Sequence, residues 1–349
     1  MSKWINVKFM KSCEYYKYCE KRKEGLYMKG KAVGSAGNDT AAVRAKSRKK
    51  LWEQIRMRWV LYLFLAPAVV YIFLFSYVPM YGIQIGFKNY SMAKGFTGSE
   101  WVGFKWFEKF LSLPRFKQIV GNTLRLSIYD LIVGFPIPII LALILHNIKN
   151  VKWKKFAQTV TYMPHFISTV VIVSMISIFF SPRSGIINTI LSFFGGSGDV
   201  YFMGSAGYFP HLYVWTGIWQ GAGWGSILYL AALSGVDPTL HEAAEIDGAN
   251  KIKRILHIDI PSIMPTIIIM LIMRCGSIMS VGYEKTFLMQ NSLNITSSEV
   301  ISTYTYKIGL QQRMYSYSTA IGLFNNVINF VFLTIVNKVA GKISGSSLW

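Results

Sequence analysis

Six apolar runs, each about twenty residues or longer, alternate along the chain with shorter polar stretches. They cover about 59–81, 122–145, 156–180, 211–235, 262–281 and 318–339. At 1.5 Å rise per residue, each is long enough to cross a hydrocarbon layer about 30 Å thick as an α-helix. Such a layer offers the backbone no water, so a spanning segment must satisfy its own peptide groups, and a helix does so. The pattern predicts an all-α, polytopic helical bundle with six transmembrane helices. Pro136 and Pro138 interrupt the second run and Pro164 the third. Each removes a backbone donor and crowds the preceding turn, which predicts kinks that line a cavity.

The intervening stretches set the orientation. Residues 1–57 are polar, lysine-rich and punctuated by glycine, with no sustained period, and are expected to form a mostly disordered basic tail. Its end, 47–58, is expected to lie as a helix against anionic lipid headgroups. The transmembrane body is expected over 58–342, with a short tail over 343–349. The segment 181–210 is glycine-rich and is expected to hold a short surface helix; a mixed loop fills 282–317. The chain is 52% hydrophobic and 15% charged, which excludes an ordinary soluble domain. Its formal net charge is +21, and residues 1–58 hold 16 of the 37 basic residues and 5 of the 16 acidic ones. With six spans both termini share one side. The tail, the 146–155 loop, Lys251 to Arg254, and Lys338 with Lys342 all fall on it, so that side is expected to be cytoplasmic. Charge that flanks apolar spans argues for membrane lipid and against nucleic acid as the partner. No cleavable signal peptide is expected, because residues 1–50 contain no apolar run.

One polar stretch between the fourth and fifth runs has its own local logic. Residues 237–261 begin Asp237-Pro238 and continue through Glu242-Ala243-Ala244, Asp247-Gly248-Ala249 and Ile260-Pro261. Asp237 suits a helix N-cap, with Pro238 at the first helical position. Gly248 suits the left-handed residue that ends a helix. Asn250 then suits the cap of a second helix starting at Lys251. On the first helix Leu240, Ala243, Ala244 and Asp247 share a mostly small face, with Glu242 and Glu245 on the other side. The pair reads as a docking element at the membrane surface.

These residues resemble the EAA loop of permease subunits in binding-protein-dependent ABC importers. The family usually has Leu before the final proline, where this chain has Ile260. The likeness extends from about 61 to 337. Gln158-Thr-Val-Thr-Tyr162-Met-Pro164-His165-Phe166-Ile-Ser168, Gly223-Trp224-x-Ser226-Ile-x-Tyr229-Leu-Ala231-Ala232-Leu233 and Tyr315-Ser316-Tyr317-x-Thr319-Ala320-Ile-Gly322 resemble the branch that imports complex oligosaccharides. The resemblance implies a non-enzymatic translocation subunit in the cytoplasmic membrane, importing an oligosaccharide or related glycoconjugate. Its implied partners are a second related permease subunit, two ATP-binding subunits that hydrolyse ATP, and an extracellular solute-binding protein. It also implies that Leu240, Glu242, Ala243, Ala244, Asp247, Gly248, Ala249 and Pro261 couple the chain to the ATPase.

Other side chains are candidates for the substrate path. Arg125, Asp130 and Arg274 lie in apolar runs, where a charge costs about 2.5–3.5 kcal/mol at the centre of a span and therefore faces protein or water. Trp215, Trp219 and Trp224 offer aromatic faces to sugar C–H surfaces. Gly217, Gly221 and Gly225 recur every four residues, a pattern expected to pack closely against a neighbouring helix. No cofactor or metal is called for: His165, His211, His241 and His257 lie in separate segments, and Cys13, Cys19 and Cys275 form no cluster. Gly25 to Lys31 has phosphate-loop spacing, but Ala32 stands where a magnesium-binding hydroxyl belongs. Two other readings require features the chain lacks. A membrane-embedded enzyme acting on lipid or polysaccharide needs acidic, histidine or metal clusters. A secondary transporter needs ion-coupling carboxylates, and only Asp130 lies in a predicted span.

Overall fold

The computed structural model describes residues 56–345 and 347–349. The expectations for the basic tail, for Cys13 and Cys19 and for the Gly25 to Ala32 stretch lie outside the described residues. The chain divides into two compact units, Met1–Met80 and Tyr81–Trp349.

The first unit contains α1 (Trp59–Ile72), which continues into a wide, i→i+5 turn over Phe73–Tyr77. The whole apolar run Trp59–Phe87 is long enough to cross a membrane.

The second unit is helical apart from one small ribbon. Two short strands, β1 (Lys88–Asn89) and β2 (Glu100–Trp101), pair antiparallel with Lys88 opposite Trp101. Then come α2 (Lys105–Leu111), α3 (Phe116–Tyr129) and α4 (Pro136–His146). α5 (Val151–Tyr162), α6 (Thr169–Phe179), α7 (Ile186–Phe193) and α8 (Phe209–Leu233) follow. α9 (Pro238–Ile246), α10 (Lys251–Arg254) and α11 (Ile260–Cys275) build the 237–261 loop and the span after it. α12 (Tyr283–Met289), α13 (Ile301–Tyr306) and α14 (Tyr315–Ser344) complete the unit.

Among the described residues four helical runs are long and apolar enough to span: Trp59–Phe87, Phe116–His146, Lys251–Cys275 and Tyr315–Ser344. A fifth arises if the bent pair Val151–Phe166 and Thr169–Phe179 is one span. α8, expected as the fourth of six, has 25 residues and so is about 37 Å long. Gly217, Gln220, Gly221, Gly223 and Gly225 make it less apolar than the others, so it is not among the runs that length and apolar composition alone mark as spans.

The third run departs most from expectation. It is not one straight helix but two, meeting at 97°. Pro164 sits in a tight 3-10 turn over Met163–Phe166, Ile167 is extended, and the Ser168 hydroxyl recaps the chain by accepting from the Val171 N–H at 3.4 Å. A proline therefore breaks this run rather than kinking it. At three other prolines the helix widens instead. Three wide turns, Phe73–Tyr77, Asp130–Gly134 and Ile255–Asp259, end two residues before Pro79, Pro136 and Pro261. Each proline ring excludes the carbonyl four residues back and supplies no N–H, so the ladder re-forms with one extra residue per turn.

Three apolar clusters hold the second unit together. One joins Leu126, Val173, Phe209, Leu212 and Val281; another joins Phe110, Ile119, Met279, Tyr317 and Ile321. The third joins Leu143, Leu145, Tyr229, Leu233 and Ile263, where α4, α8 and α11 meet beside the docking loop. Buried polar groups are matched across helices. Asn329 of α14 accepts from the Met279 N–H at 2.9 Å and donates to the Ser280 hydroxyl at 2.9 Å, so α14 is pinned to the end of α11.

The glycine ridge of α8 does something other than the expected close packing. A methyl at Gly221 would meet nothing within 4 Å, and one at Gly225 would touch only the Pro138 ring at 3.3 Å. The close approach is at Gly223, where a methyl would lie 1.9 Å from the Thr161 carbonyl oxygen of α5. Gly217, Gly221 and Gly225 line a cavity instead.

Candidate functional site

The 237–261 loop forms as its local chemistry dictates. The Asp237 carboxylate accepts from the Thr239 N–H at 2.9 Å and starts α9. Hydrogen bonds from Thr239, chiefly its backbone N–H, hold this carboxyl below the usual carboxylate range. At the far end Gly248 adopts φ +75°. The Ala249 N–H reaches the Ala244 carbonyl at 2.8 Å, and the Gly248 N–H reaches that of Glu245 at 3.1 Å. This is a Schellman cap, which uses a left-handed residue to satisfy the last carbonyls of a helix. Asn250 then accepts from the Lys253 N–H at 2.9 Å and starts α10.

The expected docking face is partly rearranged. Leu240 and Ala243 are exposed, Leu240 at 50%, but Ala244 and Ala249 are half-buried. Asp247 lies beyond the helix as its C-cap residue. Glu242 is exposed, whereas Glu245 forms an ion pair with Arg254 of α10. Ile246, overlooked in the sequence because it falls off the small-residue face, is 86% exposed. With Leu240, Ile252 and Leu256 it makes an apolar surface around the loop.

The second helix of the pair is not separate. α10, the wide turn Ile255–Asp259 and α11 form one continuous helical run from Lys251 to Cys275, with Pro261 just inside α11. The loop is thus a short exposed helix attached by one tight turn to the foot of a spanning helix.

At another level of the bundle, Asp130 of the second span pairs with Arg274 of the fifth. The two line a cavity of about 260 Å³ together with Gln220, Ser277, Ser280 and Lys285. They also line a second cavity of about 230 Å³, with Gly217, Gly221 and Pro138. Lys285 donates to the Tyr213 carbonyl at 2.8 Å, and its ammonium lies 4.9 Å from the Tyr213 ring centre. The lining thus carries two cations and one carboxylate. Lys285 is not evident from the sequence, because it belongs to a stretch that reads as a polar loop and only α12 returns it to the spans.

The remaining candidates lie elsewhere. Arg125 is exposed and lines neither cavity. Trp215 donates to the Tyr129 hydroxyl at 3.0 Å, and Trp224 stacks on the His165 ring at 4.5 Å between centres. Trp219 is half exposed, and none of the three tryptophans lines either cavity. At about 100° per residue Trp215 and Trp219 share one side of α8 away from the glycines, whereas Trp224 projects close to the direction of Gly217 and is turned to His165.

A bundle of apolar helices with an exposed helical loop and a charged cavity between its helices fits a membrane transport component. The chain belongs to the family of binding-protein-dependent transport system inner membrane components, which it matches over residues 134–345. It is therefore a multi-pass membrane protein and a transport component. It is 42% identical to protein LplB of Bacillus subtilis over 294 residues, 84% of this chain and 92% of that protein. It is 38% identical to the polygalacturonan/rhamnogalacturonan transport system permease protein YteP of the same organism, over 89% of this chain and 97% of that one. Among solved structures it resembles a bacterial alginate ABC transporter, crystallised in complex with an alginate pentasaccharide-bound periplasmic protein. The TM-score is 0.78 at 36% identity, covering 86% of this chain and 100% of the matched chain.

Proposed function

We propose that this chain is one of two related permease subunits of an ATP-driven importer, and that its cargo is an oligosaccharide carrying carboxylate groups. An extracellular solute-binding protein delivers the cargo, and two ATP-hydrolysing subunits dock on residues 237–261 from the cytoplasm. The N and C termini are cytoplasmic in this arrangement. The observation that carries the reading is the join between docking loop and span. A partner that moves exposed α9 acts through one tight turn on the continuous helix Lys251–Cys275, whose far end bears Arg274 in the cavity.

The substrate class has two supports. Relatives are named for polygalacturonan and rhamnogalacturonan transport and for alginate import, and these are acidic polysaccharides. Arg274 and Lys285 outnumber Asp130 in the cavity lining, and a cation in a low-dielectric site favours an anionic ligand.

The test is reconstitution. The chain is purified with its partners, placed in proteoliposomes, and given the cognate binding protein loaded with oligogalacturonate or with a neutral oligosaccharide of equal length. ATP-dependent uptake of the acidic sugar, with little of the neutral one, is expected. Uptake driven by an ion gradient without ATP defeats the importer reading. Equal uptake of the neutral sugar defeats the acidic one.

A further inference from the structure

α9 is attached to the membrane bundle by a second contact, one that neither the docking loop's capping pattern nor its exposed surface requires. Asp259 ends the wide turn below α11, and its side chain is 1% exposed. Nε2 of His241, from the inward side of α9, lies 3.1 Å from its Oδ1. That is ion-pair distance without hydrogen-bond alignment: neither Asp259 oxygen receives a hydrogen bond from the described residues. His146, the last residue of α4, is close enough that Asp259 and His241 both act on it electrostatically. Three elements therefore meet at one buried carboxylate: the foot of α11, the end of α4 and the middle of α9. Among the described residues no group of His, Cys, Asp or Glu side chains has the arrangement of a metal site, so an ion does not account for the cluster.

A carboxylate withdrawn from water is retained only where a partner compensates the lost hydration. Here the side chain that stands at ion-pair distance, His241, belongs to the docking helix. The other ion pair within the loop, Glu245 with Arg254, joins α9 to α10 next to the turn, and Glu245 is 58% exposed. An exposed pair of that kind holds geometry weakly. Without a buried contact, a push on α9 is absorbed by rotation in the four-residue link 247–250, whose Gly248 is the softest point of the loop.

We propose that His241 and Asp259 are positioning residues that lock the docking helix to the foot of the fifth span, so that movement of α9 is passed into Lys251–Cys275 instead of being lost in the turn. This rests on the reading of 237–261 as the ATPase-docking loop. The wide turn before Pro261 is part of the device, since Asp259 is its final residue.

The test is a double-mutant cycle on the full chain, in two arms. In the first, the chain alone in lipid nanodiscs is compared as wild type, His241→Ala, Asp259→Asn and the double variant, by amide hydrogen exchange over 238–247. Each single change is expected to speed exchange about tenfold, and the double no more than either single, because both remove the same contact. Asp259→Asn removes the buried charge at constant shape, so it keeps the experiment readable if His241→Ala fails to fold. In the second arm the assembled importer is assayed for sugar moved per ATP hydrolysed. The singles are expected to lower that ratio at least about fivefold while hydrolysis continues, again without addition in the double. Unchanged exchange, effects that multiply in the double, or uptake and hydrolysis falling in equal proportion overturns the lock. A wild-type complex without ATP-dependent uptake defeats the docking reading alone, and the exchange arm still decides whether the pair holds α9.

Discussion

The 237–261 loop and the charged cavity both involve the helical run Lys251–Cys275 yet are built in opposite ways. The capping bonds that shape the loop join residues within five positions of one another: Asp237 to Thr239, Ala249 to Ala244, Asn250 to Lys253. The cavity instead gathers residues 130, 217, 274 and 285, and its ion pair joins partners 144 positions apart. A local device can be read from a short string, because capping and turn chemistry involve only near neighbours. A cavity is defined by packing, and what faces it depends on helix rotation and on where each helix is broken.

That contrast can be broken at four places, from the largest expected effect to the smallest. Gly223→Ala places a methyl against the Thr161 carbonyl, and overpacking of a well-packed contact costs about 1–3 kcal/mol or more. Yield of the folded chain and its melting temperature in detergent should fall sharply. Gly221→Ala, with open space around it, should be neutral or mildly stabilising, since alanine is favoured over glycine in helices by about 1 kcal/mol. Equal tolerance at both positions would contradict the tertiary packing described above.

Gly248→Val should leave the chain folded and inserted but lower sugar uptake to a tenth or less. A β-branched residue is strongly disfavoured at φ +75°, whereas Gly248→Asn should keep most activity because asparagine visits that region. No side chain crowds the site, so any effect must come from the backbone. Val and Asn variants with equal uptake would show that the Schellman cap does not position α9. Glu242→Lys should impair the same step through charge on the exposed face.

At the cavity, Arg274→Gln leaves Asp130 without its cation and should lower uptake several-fold. Adding Asp130→Asn should recover part of the loss, because a half-broken pair leaves an uncompensated charge. Independent effects on uptake would mean that the pair does not act as a unit.

The smallest effect concerns Asp237. Its carboxyl is held below the ordinary value, so its contribution to α9 is complete above the unfolded value, about pH 4, and is lost as pH falls through the lower, folded value. Amide protection at the start of α9 should be flat above about pH 5 and decline in acid. Asp237→Asn should flatten that profile while preserving the cap, and Asp237→Ala should lower protection at all pH values.

Composition and apolar run length were sufficient to establish a helical membrane protein, because the hydrocarbon core leaves the backbone few alternatives. The caps Asp237 and Asn250 and the left-handed Gly248 were also legible, since each acts on residues two to five positions away. Tertiary structure decided the rest. It turned Pro164 into a 97° break and Pro261 into a widened turn, although both prolines look alike in the string. It aimed the Gly217, Gly221 and Gly225 ridge at a cavity and gave the close helix contact to Gly223. It moved Trp215, Trp219 and Trp224 away from the cavity and brought in Lys285 from a segment that reads as loop. Last, it set His241 against Asp259, eighteen positions on, where nothing in the periodicity marks either. The physical reason is the same each time. Hydrogen-bond geometry at a cap is set by a few adjacent dihedrals, whereas the partner of a side chain across a bundle is set by how whole helices pack.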